Sequence, residues 1–268
     1  MAKHWMRLLT ELSSRKWLSR LTGAFAKSGA SKPFIPKFAK MYGIRVEDAE
    51  KALHEYDSLN EFFTRRLKPG ARPIDSRPGI LVSPVDALIT GMGTIETGLI
   101  VNVKGQDYTL AELLNRSPRM EKYKDGYYFV LYLSPTDYHR IHTPVAGERI
   151  ETEHIPGKVY PVNDFGLRHM KRVLSRNERL VTYIRHDGGE VAVVKVGALN
   201  VSSIKYVDER AQLWGRGQEL AYFEFGSTVV LLTEDGTFAP REDLAVGHKV
   251  RMGEALGTLQ PQENGRTS

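Results

Sequence analysis

The chain contains no cysteine, which excludes disulfides and thiolate metal sites. That absence is compatible with a reducing compartment and with any other. Long apolar runs are missing too: no stretch of 18 apolar residues occurs, so no transmembrane helix is expected. The first residues lack the apolar h-region and Ala-x-Ala site of a secretory signal. Acid is almost absent from residues 1–45, which hold ten Lys/Arg against Glu11 alone. This local balance of +9 leaves the rest of the chain at −3 against a whole-chain net of +6, so the basicity belongs to one segment and not to the fold.

The 268 residues are 41% hydrophobic, enough for one large domain or one domain with an attached segment. Residues 3–26 have helical spacing: Trp5, Leu8, Leu9, Leu12, Leu18, Leu21 and Phe25 share a broad face, with Lys3, Arg7, Arg15, Lys16 and Arg20 mostly elsewhere. A second piece, Lys32 to Lys40, again mixes aromatics with lysines. Three uses fit such a segment: a membrane surface, docking of the apolar stripe on the core, or nucleic-acid phosphate. The two-sided character with two tryptophans favours the membrane.

Residues 46–70 read as helical, with good formers over Val46–Leu53 and Ser58 followed three residues later by Glu61 as a capping box. Lys68-Pro69-Gly70 ends this region, and proline and glycine make a loop of residues 72–79. From residue 80 the period becomes that of strands. Ile80–Ile89 is apolar and β-branched, Tyr127–Leu133 is apolar enough for a central strand, and Val191–Val201 is another strand run. A short helix is expected at Leu110–Leu114, a basic helix over 165–180, and a glycine-punctuated hairpin over 247–257.

Three places carry chemistry. Asp86 stands alone among apolar residues, either as a turn residue bonding local backbone or as a carboxylate that orients a histidine. After Tyr127–Leu133 comes Ser134-Pro135-Thr136-Asp137-Tyr138-His139-Arg140-Ile141-His142-Thr143-Pro144. A His-x-x-His pair can ligate metal, but no third ligand accompanies this one. Acid/base work near neutral pH is the stronger reading. Finally, Phe225-Gly226-Ser227-Thr228 interrupts two strand-like runs. A glycine there marks a bulge or a close backbone approach, and on a bent backbone the Ser227 hydroxyl can attack the Gly226 carbonyl.

Phe62–Pro73, Ser83-Pro84-Val85-Asp86, Leu133–Pro144, Val196-Gly197-Ala198 and Phe225-Gly226-Ser227-Thr228 occur in that order. Together they resemble the pyruvoyl-dependent phosphatidylserine decarboxylase family in its bacterial membrane-associated form, over roughly residues 45–235. The resemblance implies a proenzyme. Ser227 attacks the carbonyl of Gly226 to give an ester, and β-elimination then cuts the chain and leaves dehydroalanine. Hydrolysis releases ammonia and leaves a pyruvoyl group on a 227–268 chain beside a 1–226 chain. It implies His142 as the base and Asp86 as its orienter, a Ser-His-Asp arrangement acting once on the protein's own backbone. His139 is implied as the proton donor in decarboxylation, and the pyruvoyl, forming a Schiff base with the lipid's amine, as the only cofactor, with no metal. The implied partners are phosphatidylserine, an anionic membrane surface and the two chains as a heterodimer, with a further dimer left open. The implied place is the cytoplasmic face of the membrane.

The fold expected is α+β: N-terminal amphipathic helices in a membrane-binding segment 1–45, then a mainly antiparallel, sandwich- or barrel-like β body over 46–268 that holds the cleavage site. Phe225, Ala221 and Asn200-Val201-Ser202-Ser203 depart from the family pattern, which bears on substrate-pocket detail and not on the reaction. The nearest alternatives are a pyruvoyl decarboxylase of a small amino acid and a non-catalytic membrane-surface protein. A biotinyl-like carrier domain ranks low, because Val246–Glu254 lacks a modification lysine between methionines.

Overall fold

The computed structural model describes residues 23–103, 106–160, 172–198, 204–224 and 227–260. Most of the expected helix over 3–26, part of the basic stretch over 165–180, and Phe225 and Gly226 lie outside them. The architecture is α+β, with short helices near the N-terminus and mainly antiparallel sheets after residue 80.

The largest sheet has eight strands. In spatial order they are Leu213–Trp214, Gly147–Ile155, Arg179–His186, Gly189–Gly197, Ser227–Thr233, Tyr127–Leu133, Ala87–Thr94 and Lys249–Val250, and each neighbouring pair is antiparallel. Side chains alternate between faces along a strand, and here both faces are covered. Val130, Val194, Val230 and Leu232 pack in one cluster with Tyr108, Leu110 and Tyr183. Phe129, Leu131, Val193, Val229 and Leu231 pack in another, with Ile141, Leu220 and Phe223 of a separate three-stranded sheet. That double burial accounts for the uninterrupted apolar run of Tyr127–Leu133, since a strand with one wet face would alternate. The eight-stranded sheet ends in edges at Leu213–Trp214 and Lys249–Val250, so this body is layered and not a closed barrel.

The chain changes sheets at the predicted bend. Glu219–Phe223 lies in the three-stranded sheet, and Ser227–Thr233 lies in the eight-stranded one. All seven residues of Ser227–Thr233 pair on both sides, Ser227 with Leu133 and with Gly197.

Three sequence expectations need correction. Val46–Leu53 is not a helix: Val46–Asp48 is a single 3-10 turn and Leu53–Glu55 another. The intervening backbone bonds sideways, with Glu50 N–H to the Arg66 carbonyl, Lys68 N–H to the Asp48 carbonyl, and Ala49 bridged to Leu67. In the basic stretch over 165–180, only Val173–Arg176 is helical among the described residues, and the strand Arg179–His186 begins directly after it. The 247–257 segment is not a hairpin, because Lys249–Val250 pairs with Ala87–Leu88 while Ala255–Leu259 pairs with Ile80–Val82 and Phe238–Pro240. By contrast, Ser58 caps Leu59–Phe63 as expected, its hydroxyl accepting the Glu61 N–H at 3.2 Å.

The N-terminal elements dock by one face. The helix Ile35–Tyr42, stopped by Gly43 in the left-handed region, buries Ile35 and Ala39 against Ile44, Tyr56 and Phe62. Phe25, Phe34, Met41 and Tyr42 stay exposed.

Candidate active site

The strand Tyr127–Leu133 ends opposite Ser227, and the residues after it fold over that end of the sheet. Asp137 shapes this loop: its carboxylate accepts the Ser134 backbone N–H and the Ser134 hydroxyl, both at 2.7 Å. Burial pushes the Asp137 pKa up. The tightened loop places His139 in the interior, fully buried. Its Nε2 donates to the Ser134 carbonyl at 3.0 Å, and its ring stacks on Phe63 with centroids 3.9 Å apart. Its Nδ1 is buried with no partner. Burial, aided by the Arg65 charge, pushes the pKa of His139 down to about 3, so the ring is neutral and Nδ1 is a bare acceptor.

His142 ends the short strand Arg140–His142. A carbonyl can only accept, so the 2.7 Å contact between His142 Nδ1 and the Gly217 carbonyl places the proton on Nδ1. Burial lowers the pKa of His142, which leaves Nε2 unprotonated and able to accept the Tyr138 hydroxyl at 3.1 Å. The imidazole is thereby held in the tautomer that a general base needs. The His142 backbone N–H reaches the Pro84 carbonyl at 2.8 Å, so the Ser83–Asp86 stretch borders this histidine.

Asp86 is buried, and its carboxylate is held by Arg72 and not by His142. Arg72 donates from Nε to both oxygens at 2.9 Å and from Nη2 to Oδ2 at 2.6 Å. The Met252 backbone N–H adds a third donor at 2.9 Å. The second amino group of Arg72 continues to Asp48 at 3.1 Å. Asp86 still acts on His142 through its charge, which opposes the downward pull of burial on the imidazole.

The loop 133–139 spans the two described ends that flank the Gly226–Ser227 bond. On one side the Phe223 N–H bonds the His139 carbonyl at 3.1 Å. On the other, Ser227 pairs with Leu133. Glu224 is tied to Lys27 of the N-terminal segment at 2.7 Å. Gly226 itself lies outside the described residues. Beside the loop is a cleft of about 580 Å³ whose walls include Arg65, Arg72, Asp86, Thr136, Asp137 and Lys249.

The sequence pointed to His139, His142, Asp86 and Ser227, and the fold gathers all four positions at one end of the eight-stranded sheet. Gly217 was missed, and no local signal marks it, because it meets His142 from 75 residues away. Tyr138 and Arg72 lie inside the Leu133–Pro144 and Phe62–Pro73 blocks, where sequence alone assigns them no role. Their chemistry, a phenol directly before His139 and an arginine beside Pro73, was the available clue.

The fit to a self-derived pyruvoyl group rests on strand pairing and on one orphaned atom. A chain beginning at residue 227 stays paired along both edges of Ser227–Thr233, and the bare Nδ1 of His139 offers a buried acceptor close to that end. Residues 59–258 match the model of the family described as phosphatidylserine decarboxylase. The chain is 43% identical over 259 residues to a phosphatidylserine decarboxylase proenzyme of Anoxybacillus flavithermus, covering 97% of each. It is 44% identical over 257 residues to a proenzyme of the same name in Geobacillus kaustophilus, covering 96% of this chain and 97% of that one. With a match of this length and identity joined to the Ser227, His139 and His142 positions at one sheet end, the chain belongs to the phosphatidylserine decarboxylase family.

Proposed function

We propose that the chain cuts itself between Gly226 and Ser227 and then decarboxylates phosphatidylserine to phosphatidylethanolamine. The observation that carries this reading is the span of loop 133–139 across that bond, with His139 bonded to Phe223 on one side and Leu133 paired with Ser227 on the other. In self-cleavage, His142 Nε2 takes the Ser227 hydroxyl proton as the oxygen attacks the Gly226 carbonyl. The proton then passes to the departing amide nitrogen. Gly217 supplies the orienting hydrogen bond. Asp86 supports the imidazole through its charge and through the Arg72 frame, in place of a direct bond. The products are chains 1–226 and 227–268, held as a heterodimer by the paired strands.

The self-derived pyruvoyl group supplies a carbonyl that condenses with the substrate amine and accepts the electron pair as carbon dioxide leaves. The protein's own part is proton handling and orientation. A neutral His139 with a bare Nδ1 must collect a proton before it can deliver one. His139 is the proposed donor of the proton that replaces the carboxylate, and its Nδ1 is the position that would carry that proton.

The N-terminal segment fits a membrane-surface role on the cytoplasmic side. One face of residues 23–45 docks on the body, and the other presents Phe25, Phe34, Met41 and Tyr42 with Lys37 and Lys40 nearby. Each basic residue near anionic lipid is worth about 1 kcal/mol. Among the described residues no helix is long and apolar enough to cross a membrane.

The test is to purify His142→Ala and His139→Ala and assay carbon dioxide release from phosphatidylserine vesicles. His142→Ala should remain one chain. His139→Ala should be cut but turn over poorly. Normal cutting in the first, or full turnover in the second, would remove the assigned roles.

A further inference from the structure

We propose that Arg65, assisted by Lys249, is the receptor for the phosphodiester anion of the lipid headgroup. This rests on the decarboxylase reading and names a subsite that the reading leaves open. Arg65 follows the helix Leu59–Phe63 and is 4% exposed. Its guanidinium is poorly satisfied. Nη1 reaches the Phe62 carbonyl at 3.5 Å, Nη2 reaches the Thr136 and Asp137 carbonyls at 3.4 Å each, and Nε has no partner. Those distances lie beyond the usual 2.7–3.2 Å range. Among the described residues no carboxylate comes within ion-pair distance of it.

Two other arginines show what satisfaction looks like in this protein. Arg72, on the same cleft, sits bidentate on Asp86. Arg179, similarly buried, donates to the Leu113, Asn177 and Glu112 carbonyls at 2.9, 2.6 and 3.2 Å. Arg65 has only three long carbonyl contacts and the Phe62 ring face at 5.2 Å, and a buried cation without a counter-charge is costly, so an anion in the cleft would complete its shell. The cleft of about 580 Å³ beside it has room for one, and Lys249, exposed and also lining the cleft, forms no ion pair among the described residues.

The chemistry selects which anion. The substrate carboxylate leaves as neutral carbon dioxide, so a cation clamped on it would favour the ground state over the transition state. The phosphodiester keeps its charge throughout. Arg65 meets the backbone of Thr136 and Asp137, beyond the Leu133 that pairs with Ser227, and it lies two residues from the Phe63 that stacks on His139. It is therefore set off from the reacting end but attached to the same loop, as the phosphate is set off from the amine within one headgroup.

The experiment uses the processed two-chain protein and two substrates with the same amine and carboxylate: dihexanoyl phosphatidylserine and O-hexyl-serine, which has no phosphate. Arg65→Gln removes a charge beside His139 and so shifts kcat for both substrates alike, but only the phosphodiester should also show a rise in KM, by about tenfold or more. Arg65→Lys should recover part of the loss. Inorganic phosphate should inhibit the parent competitively and lose that effect in Arg65→Gln. If KM rises equally for both substrates, or phosphate inhibition persists in Arg65→Gln, the assignment is overturned. Phosphate inhibition that depends on Arg65 alongside an unchanged phosphodiester KM would make this a free-phosphate site and overturn the headgroup assignment. Should Arg65→Gln fail to fold, Lys249→Gln decides from an exposed position: a KM rise of about threefold supports the receptor, and no change overturns it. Should the parent decarboxylate neither substrate, calorimetric titration of glycerophosphoserine into the parent and Arg65→Lys decides the anion site apart from the activity. Weaker binding in the variant keeps the site, and equal binding removes it.

Discussion

Gly217 fixes His142: its carbonyl accepts the Nδ1 proton at 2.7 Å and so dictates which imidazole nitrogen is free to act as a base. Gly217 holds φ at +77°, and a Cβ there would lie 2.3 Å from Ile74 Cδ1. Gly217→Ala therefore adds strain of about 1–2 kcal/mol from backbone conformation alone, and it displaces the carbonyl. The expected result is a less stable protein whose self-cleavage, followed by gel over time, is slowed several-fold. Unchanged cleavage would show that the tautomer is set elsewhere.

Asp86→Asn leaves the Arg72 guanidinium facing a neutral group where it had a bidentate carboxylate. Breaking a buried pair from one side costs about 3 kcal/mol, so the variant should melt lower as well as fail to cut. The double change Asp86→Asn with Arg72→Met removes the cation as well and leaves Asp48 to its pair with Arg45 at 2.9 Å. It should recover much of the melting temperature while remaining uncut. Recovery of cutting in the double variant would mean that Asp86 serves the fold alone.

His139 gives stability a defined pH slope. Its pKa is pushed down to about 3 in the folded protein, against about 6.5 in an unfolded chain. Between those values the unfolded state binds a proton that the folded state refuses, so stability falls as pH drops below about 6.5. The contribution approaches about 1.4 kcal/mol per pH unit. Urea titrations at pH 7 and pH 5 should show a larger loss for the parent than for His139→Gln. Equal losses would contradict the buried, neutral assignment.

Much of this was legible in the sequence wherever local pattern and tertiary demand agree. Tyr127–Leu133 reads as a central strand because both of its faces are buried, and Ser58 reads as a cap because its partner Glu61 is three residues away. The expected helix over Val46–Leu53 failed because Ala49 is bridged to Leu67 and the flanking backbone bonds Arg66 and Lys68, partners that no helix propensity encodes. The hairpin over 247–257 failed for a similar reason. Gly253 bonds Ser83 by its N–H and Asp75 by its carbonyl, so the two arms are drawn to different sheets. At the site, residue types were visible but their pairing was not. Asp86 and His142 look like partners in sequence, yet Arg72 takes the carboxylate and Gly217 takes the imidazole, each through contacts set by the folded chain.

The central claim is the self-made break before Ser227, and intact mass under denaturing conditions, with and without borohydride, tests it most directly. The account predicts two fragments meeting at Gly226 and Ser227, the shorter one blocked at its N-terminus and gaining mass on reduction. A single uncut chain of 30.2 kDa from freshly purified, active protein would contradict it.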